Sequence, residues 1–347
     1  MRPEMVEDRT VKLASLARGG RDGTLIVVDR DIRRGVEVPD IAGTLREAIE
    51  NWDRLAGDLV AVAKDLEAGR VTGDFLVDPR ELASPLPRAF QFLDGSVYLH
   101  HMEKARRARG AEMPANYESE PIMYQGLSDG FVGPRQSFPV PDEQDEIDYE
   151  AEIGVVLDDV PLGTPASAAA EHIKLVVLLN DWTLRGITKY ELPRGFGFVQ
   201  AKPTSSFGPV AVTLDELEGG WDGERFHLQV SSAINGRVLG RAAAGEEMFF
   251  SYPELIAHAA RTRNLSAGTI IGAGSISNLN PDAGYGCIAE ARVGEQAQGG
   301  SAVTDFLSFG DVVTIDAVDG SGRSVFGTIE NTVERASAVR APGGDHA

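Results

Sequence analysis

The sequence predicts a mainly β fold of the α+β class, on three observations: short apolar runs of strand length recur along the chain, Gly, Pro, Asp and Asn cluster between them, and few stretches carry helical spacing. Residues 11–16 and 24–29 are such runs, separated by Gly19, Gly20 and Gly23, which signals a hairpin. From 44 to 69, Leu45, Ile49, Trp52, Leu55, Leu59, Val62 and Leu66 keep helical spacing, and Gly69 supplies a stop. Pro79, Pro85 and Pro87 punctuate the next stretch of chain, placing a boundary near residue 85 between a small N-terminal domain, 1–85, and a larger unit, 86–340. Beyond it, residues 151–157, 175–179, 210–212, 226–230, 269–271, 288–293, 312–317 and 324–328 read as strands. Helices are expected over 165–171 and from Ser251, where Ser251 and Glu254 have the spacing of a capping box. Residues 341–347 read as a frayed tail.

Composition narrows the function classes. Lys and Arg total 33 against 53 Asp and Glu, a net charge of −20 over 347 residues, so the average surface repels phosphate backbones and anionic headgroups. No nucleic acid and no membrane is expected as a partner. Cys287 is the single cysteine and makes no internal disulfide, and the first residues lack a long apolar segment, so the expected localisation is a reducing cytoplasm.

The stretch richest in chemistry is Asp148-Tyr149-Glu150-Ala151-Glu152. Carboxylates at i and i+2 of a strand share a face roughly 7 Å apart, where a hard divalent cation relieves their repulsion; an edge strand with a solvated acidic face fits equally. Asp181 follows the apolar run 175–179, at a strand end suited to a ligand or, alternatively, to a helix N-cap. Asp94-Gly95-Ser96 precedes an adjacent pair, His100 and His101, and reads as a turn before a helix. Carboxylates without paired thiols or clustered histidines favour Mg²⁺, Mn²⁺ or Ca²⁺ over zinc. His101 is a candidate base, against the commoner role of a packing histidine. Lys202, in a Gly-, Ser- and Pro-rich loop, suits an anionic substrate oxygen or plain solvation. Residues 272–278 are small and flexible but lack both a dinucleotide fingerprint and a Walker lysine, so nucleotide binding is rejected.

In this order, Asp94 with His101 seven residues on, Met123-Tyr124-Gln125-Gly126, the Glu150/Glu152 pair, Asn180-Asp181-Trp182 with Arg185, Lys202, Gly274-Ser275-Ile276-Ser277 and Glu290 resemble the fumarylacetoacetate hydrolase family over about residues 90–335. The resemblance implies a mixed β-roll catalytic domain behind a small N-terminal α+β domain, usually assembled as a homodimer. It implies metal ligands at Asp94, Glu150, Glu152 and Asp181, with Mg²⁺ (or Ca²⁺ or Mn²⁺) as cofactor. It casts His101 as general base with Glu290 as its carboxylate partner, and Tyr124, Arg185, Lys202 and Ser275 as substrate contacts. Relatives with a lid glutamate three residues after the histidine would place it at Lys104, although His100 and Glu103 keep that spacing.

Two departures stand out. Thr188 occupies the position of a glutamine that helps hold the oxyanion, and Ser206 that of a threonine near the metal. The implied activity is metal-dependent hydrolysis of a carbon–carbon bond in a 1,3-dioxo acid, a small-molecule partner. The alternatives are a hydratase, isomerase or decarboxylase of a related oxo acid in aromatic-compound degradation, and a non-catalytic metal-binding member. Support for a homodimer within the sequence is limited to the apolar clusters Met248-Phe249-Phe250 and Phe131-Val132, which suit a core equally.

Overall fold

Alternation along the first hairpin decides how the layers meet. In the computed structural model, which describes residues 9–108, 112–297 and 299–337, strands Lys12–Leu16 and Thr24–Val28 pair antiparallel with Lys12 opposite Val28. The tail expected over 341–347 lies outside the described residues. Successive strand side chains point to opposite faces. Leu13, Leu25 and Val27 accordingly enter one apolar cluster, and Ala14, Leu16, Ile26 and Val28 the other.

The first cluster is closed by helix Trp52–Glu67, which buries Leu55, Leu59, Val60, Ala63 and Leu66. The expectation is one helix over 44–69; the structure has two, because Asn51 leaves the helical well (φ −126°, ψ 28°) between Leu45–Glu50 and Trp52–Glu67. Thr44 caps the first by accepting from the Glu47 amide at 3.1 Å.

The hairpin is part of an eleven-stranded sheet. Its middle runs from Lys12–Leu16 through Ala211–Val212, Ile173–Asp181, Ala151–Leu157 and Ile270–Gly272 to Phe92–Gly95 and Met123–Gly126, with Ser205–Phe207 paired to Ile173–Asp181. Lys12 lies opposite Val212, so the sheet runs on across the boundary placed near residue 85. A five-stranded sheet, ordered Arg237–Ala243, Gln229–Ile234, Val312–Val318, Ile329–Arg335 and Phe138–Val140, supplies Val230, Val313, Ile315, Ile329, Val333 and Phe138 to the second apolar cluster. Both sheets mix parallel and antiparallel neighbours, as expected of the β-roll.

Three further sequence expectations are corrected. Residues 288–293 are not a strand but the start of helix Ile288–Ala297, because the Asp148 carboxylate accepts from the Ile288 and Ala289 amides at 2.8 and 3.0 Å and caps it from a distant part of the chain. Residues 324–328 form no strand: Ser324 makes a single bridge to Val318, and the chain then bends to Gly327, at φ +72°, ahead of strand Ile329–Arg335. The strand expected at 226–230 starts at Gln229 and runs to Ile234. Asn235 and Gly236, at φ 50° and 77°, then turn the chain into Arg237–Ala243, an Asn-Gly hairpin signal that the expectation passed over. The capping box at Ser251 forms as expected, with the Glu254 carboxylate accepting from the Ser251 amide at 2.7 Å.

Of the apolar clusters weighed for an interface, Met248, Phe250, Phe131 and Val132 are core, and only Phe249 is substantially exposed. No helix among the described residues is long and apolar enough to cross a membrane.

Candidate active site

Strand direction gathers the acids. Phe92–Gly95 and Ile270–Gly272 run parallel, whereas Ala151–Leu157 runs antiparallel to both Ile270–Gly272 and Ile173–Asp181. Two strand ends and one strand start therefore meet at one side of the sheet: Asp94 and Asp181 lie at or next to the ends of their strands and Glu152 near the start of its own. The register sets Gly272 beside Asp94 and Leu179 beside Glu152. Carboxylate oxygens of Asp94, Glu152 and Asp181 lie within 4.8 Å of one another, all buried. Gly272 keeps the space open, since a Cβ there would sit 2.4 Å from Asp94 Oδ1 and 3.1 Å from Glu152 Oε2.

Donors are shared unequally among these acids. Asp181 accepts from Lys202 Nζ at 2.6 Å, Ser205 Oγ at 2.9 Å and the Tyr124 hydroxyl. Asp94 accepts from the Gly274 amide at 3.0 Å. Both Glu152 oxygens are buried without a hydrogen-bond partner. Burial, reinforced by the neighbouring carboxylates, pushes Asp94 and Glu152 well above the ordinary carboxylate range. A partnerless buried carboxylate must be protonated or meet a cation. An all-oxygen trio of this kind fits a hard divalent ion.

Glu150, the fourth expected ligand, is held differently. Lys202 Nζ donates to its Oε2 at 2.7 Å and Arg185 Nη2 to its Oε1 at 2.6 Å. Burial alone would raise its pKa, but these two cations outweigh burial and hold it below the usual range. Burial likewise opposes the charge on Lys202, yet Asp181 and Glu150 hold its pKa above the ordinary lysine value. Arg185 bridges to Asp148 through Nε at 2.8 Å.

A cavity of about 340 Å³ opens over this side of the sheet, and Asp94, His101, Tyr124, Glu150, Arg185, Lys202 and Ser275 all line it. Met102, Ile122, Met123, Leu192 and Phe198 form its apolar wall, with Phe198 edge-on to Tyr124 at 5.1 Å between ring centres. Of the expected substrate contacts, Tyr124, Arg185 and Lys202 are bonded to the carboxylates, and Ser275 Oγ is buried and partnerless. The Thr188 hydroxyl turns inward and donates to the Arg185 carbonyl at 2.8 Å. Ser206 faces away from the acids, accepting from Trp182 Nε1 at 2.7 Å; its neighbour Ser205 is the hydroxyl beside Asp181.

Across the cavity, helices Leu99–Ala108 and Ile288–Ala297 bring His101 Nδ1 to 3.3 Å from Glu290 Oε2. Burial raises the Glu290 pKa, but His101, Ser277 and Lys104 together outweigh it and hold the acid below its usual value. Ser277 Oγ donates to Glu290 Oε1 at 2.5 Å and lies 2.8 Å from His100 Nε2. Glu103, which has the lid spacing from His100, is exposed and reached instead by the Tyr117 hydroxyl. His172 and His227 are paired with Asp158 and Asp222 away from the cavity.

Sequence reasoning gave no role to Asp148, Ser205 or Ser277. Asp148 could have been flagged as the acid that opens the richest acidic stretch, and Ser205 by alternation with Ser206 along a strand. Ser277 carried no signal beyond its place in a small-residue run.

The chain matches the family model described as fumarylacetoacetate (FAA) hydrolase C-terminal over residues 91–334, and that of fumarylacetoacetase N-terminal domain 2 over residues 11–88. It is 27% identical over 251 residues to oxaloacetate tautomerase YisK of Bacillus subtilis, covering 70% of this chain and 78% of that one. It is 29% identical over 236 residues to the fumarylacetoacetase of Arabidopsis thaliana, covering 59% of this chain and 53% of that protein. The fold matches that of maleylpyruvate hydrolase from Sphingobium sp. SYK-6, solved with manganese(II) and pyruvate, at a TM-score of 0.63 and 16% identity over 94% of this chain and all of that one. This chain belongs to the fumarylacetoacetate hydrolase family.

Proposed function

We propose that the protein is a divalent-metal-dependent hydrolase that cleaves a carbon–carbon bond in a 1,3-dioxo acid of the fumarylacetoacetate or acylpyruvate class. The observation that carries this reading is a buried carboxylate trio and a histidine–glutamate pair that reach one cavity through Asp94 and His101, a cavity that Lys202 also lines. Asp94, Glu152 and Asp181 would hold Mg²⁺, Mn²⁺ or Ca²⁺, with Glu150 alongside. When bound, such an ion supplies a Lewis acid that offsets charge developing on the substrate's oxygens.

The chain's own groups supply the rest. His101 Nδ1 lies 3.3 Å from Glu290 Oε2; with its hydrogen on that nitrogen, the lone pair of Nε2 would serve the cavity. His101 Nε2 takes a proton from water as the water oxygen bonds to a carbonyl carbon, and Glu290 balances the imidazolium that forms. The Lys202 ammonium and the partnerless Ser275 hydroxyl donate to the oxyanion. As the carbon–carbon bond breaks, its electron pair goes to the leaving enolate carbon, which takes the proton back from His101. The products are a carboxylic acid and a ketone or keto acid. The apolar wall of Met123 and Phe198 receives the substrate's carbon chain.

A second reading, tautomerisation or isomerisation of an oxo acid, is favoured by one observation. Thr188 offers no donor to the cavity, and moving one proton between carbon and oxygen needs no holder for a tetrahedral oxyanion. The 27% identical tautomerase gives the same direction.

The deciding experiment follows loss of diketone absorbance from acylpyruvates and fumarylacetoacetate, with Mg²⁺ or with EDTA, beside decay of enol-oxaloacetate under the same conditions. Metal-dependent cleavage with the acid product identified supports the hydrolase. Enol decay without cleavage replaces it with the tautomerase. The family's usual homodimer is a separate proposal, tested by light scattering in solution.

A further inference from the structure

Two adjacent histidines open the helix Leu99–Ala108, and because a helix turns about 100° per residue they address different partners. His101 Nδ1 faces Glu290 Oε2 at 3.3 Å. His100 Nε2 lies 2.8 Å from Ser277 Oγ, which lies 2.5 Å from Glu290 Oε1. Both oxygens of one carboxylate are therefore reached from the same helical turn, one directly and one through a hydroxyl.

We propose that His100 and Ser277 are positioning residues that hold Glu290 ionised and correctly turned, and through it fix which ring nitrogen of His101 faces the cavity. The consequence for catalysis rests on the reading of His101 as the base; the hydrogen-bond chain itself does not.

The donor inventory gives the chain its direction. An ionised carboxylate only accepts. The single hydroxyl proton of Ser277 must then point to Glu290, which leaves Ser277 Oγ as acceptor for His100, so His100 carries its hydrogen on Nε2. Burial, with Lys104 adding to it, holds His100 below the ordinary histidine value, so the ring is neutral near pH 7 and its Nδ1 is bare. On the other side, the 3.3 Å approach of His101 Nδ1 to the acceptor-only Glu290 Oε2 puts the His101 hydrogen on Nδ1. Glu290 is nearly inaccessible, with 2% of its side chain exposed, so water cannot replace the Ser277 hydroxyl if it is removed.

Other charges face this chain from every side. Lys104 Nζ stands 4.0 Å from Glu290 Oε1 on the same helix as the histidines. The Cys287 thiol lies within 4.8 Å of His101 and Glu290, and burial keeps it protonated. Tyr149 is a buried phenol and Tyr285 a half-buried one whose ionisation Glu290 opposes, Glu247 acts against the lowering of His100, and Glu150 lies close enough to feel a charge on His101. Substitutions at Ser277 and His100 leave Lys104 in place, so any change belongs to the chain.

The test uses the full-length protein labelled with ¹⁵N-histidine. In the wild type, His100 is expected as the neutral Nε2–H tautomer and His101 as Nδ1–H. In Ser277→Ala the Glu290 charge loses a donor and attracts the imidazolium more strongly, so the apparent midpoint of the Glu290–His101 pair rises by about one pH unit. His100→Leu moves it the same way and His100→Gln, which keeps an N–H donor, restores it. The low-pH limb of kcat/KM then moves with the midpoint. An unmoved midpoint in Ser277→Ala, an Nδ1–H tautomer at His100, or His100→Gln behaving like His100→Leu overturns the proposal. A moved midpoint with an unmoved kinetic limb leaves the chain standing and removes His101 as the base. Should Ser277→Ala fail to fold, the two His100 variants and Ser277→Thr, expected to match the wild type, give the same decision.

Discussion

Carboxylates on the strand edge and the carboxylate on helix Ile288–Ala297 stand in equally dry surroundings, yet burial prevails at one and loses at the other. Asp94 and Glu152 are pushed above the usual range, whereas Glu290 is held below it. The difference lies in the donors within reach. Glu290 accepts from Ser277 at one oxygen and has His101 and Lys104 within 4.0 Å; Glu152 accepts at neither oxygen. The same contrast recurs two residues apart, where Glu150 has Lys202 and Arg185 and Glu152 has neither. One half of the cavity carries its own countercharge, and the other is shaped to receive it from a bound cation.

The comparison breaks most sharply at the helix half. His101→Ala is expected to lower turnover about 10²- to 10⁴-fold while leaving Mn²⁺ affinity, read by calorimetry, unchanged. Equal losses in both would mean that the halves are not separate devices. Asp148 tests the link between them, because its carboxylate accepts from Arg185 on the acid side and from the Ile288 and Ala289 amides on the helix side. Asp148→Ala strips the half-buried Arg185 of one of its two carboxylates and the Ile288 and Ala289 amides of their acceptor, and should cost about 1–3 kcal/mol in denaturant unfolding. A cost near that of a surface substitution would show that the helix start holds without it. Gly272→Ala is confined to the strand edge, where its methyl meets Asp94. Metal affinity should fall about 10- to 100-fold with the His101 tautomer untouched. An unchanged Kd would remove Asp94 and Glu152 from the ligand set.

The strand edge was more legible in the sequence than the helix half, for a physical reason. Asp94, Glu152 and Asp181 each border a short apolar run, and period-two alternation with strand direction suffices to bring such residues together. Helix Ile288–Ala297 begins because Asp148, far away in the chain, caps it, so Ile288, Ala291 and Val293 read as strand on local pattern alone. Glu150 and Glu152 could not be told apart either, since what separates them is Lys202 and Arg185, delivered by tertiary structure. Alternation would have chosen Ser205 over Ser206, had the three-residue strand Ser205–Phe207 been recognised.

The two halves should also give stability opposite slopes against pH. Without metal, Asp94 and Glu152 stay protonated in the folded protein at pH values where the unfolded chain has released those protons. The folded state then binds more protons, so this contribution is fully present below the ordinary carboxylate range and is lost as pH rises through the raised values. Glu290 has the opposite sign: its contribution is present above the usual glutamate range and lost as pH falls through its depressed value. Acid instability is common among proteins, so the informative limb is the alkaline one. The melting temperature of chelator-treated protein should drop by a few degrees from an acidic buffer to one well above the ordinary carboxylate range. Mn²⁺ or Mg²⁺ should restore it, and more at the higher pH, where Asp94 and Glu152 have fewer protons to give up on binding. Glu152→Gln separates the causes, since the amide cannot ionise: it should flatten the metal-free slope and abolish the metal-dependent recovery together. A metal increment equal at both pH values would mean that Asp94 and Glu152 are already ionised before the cation arrives, and that their charge is balanced by Lys202 and its neighbours after all.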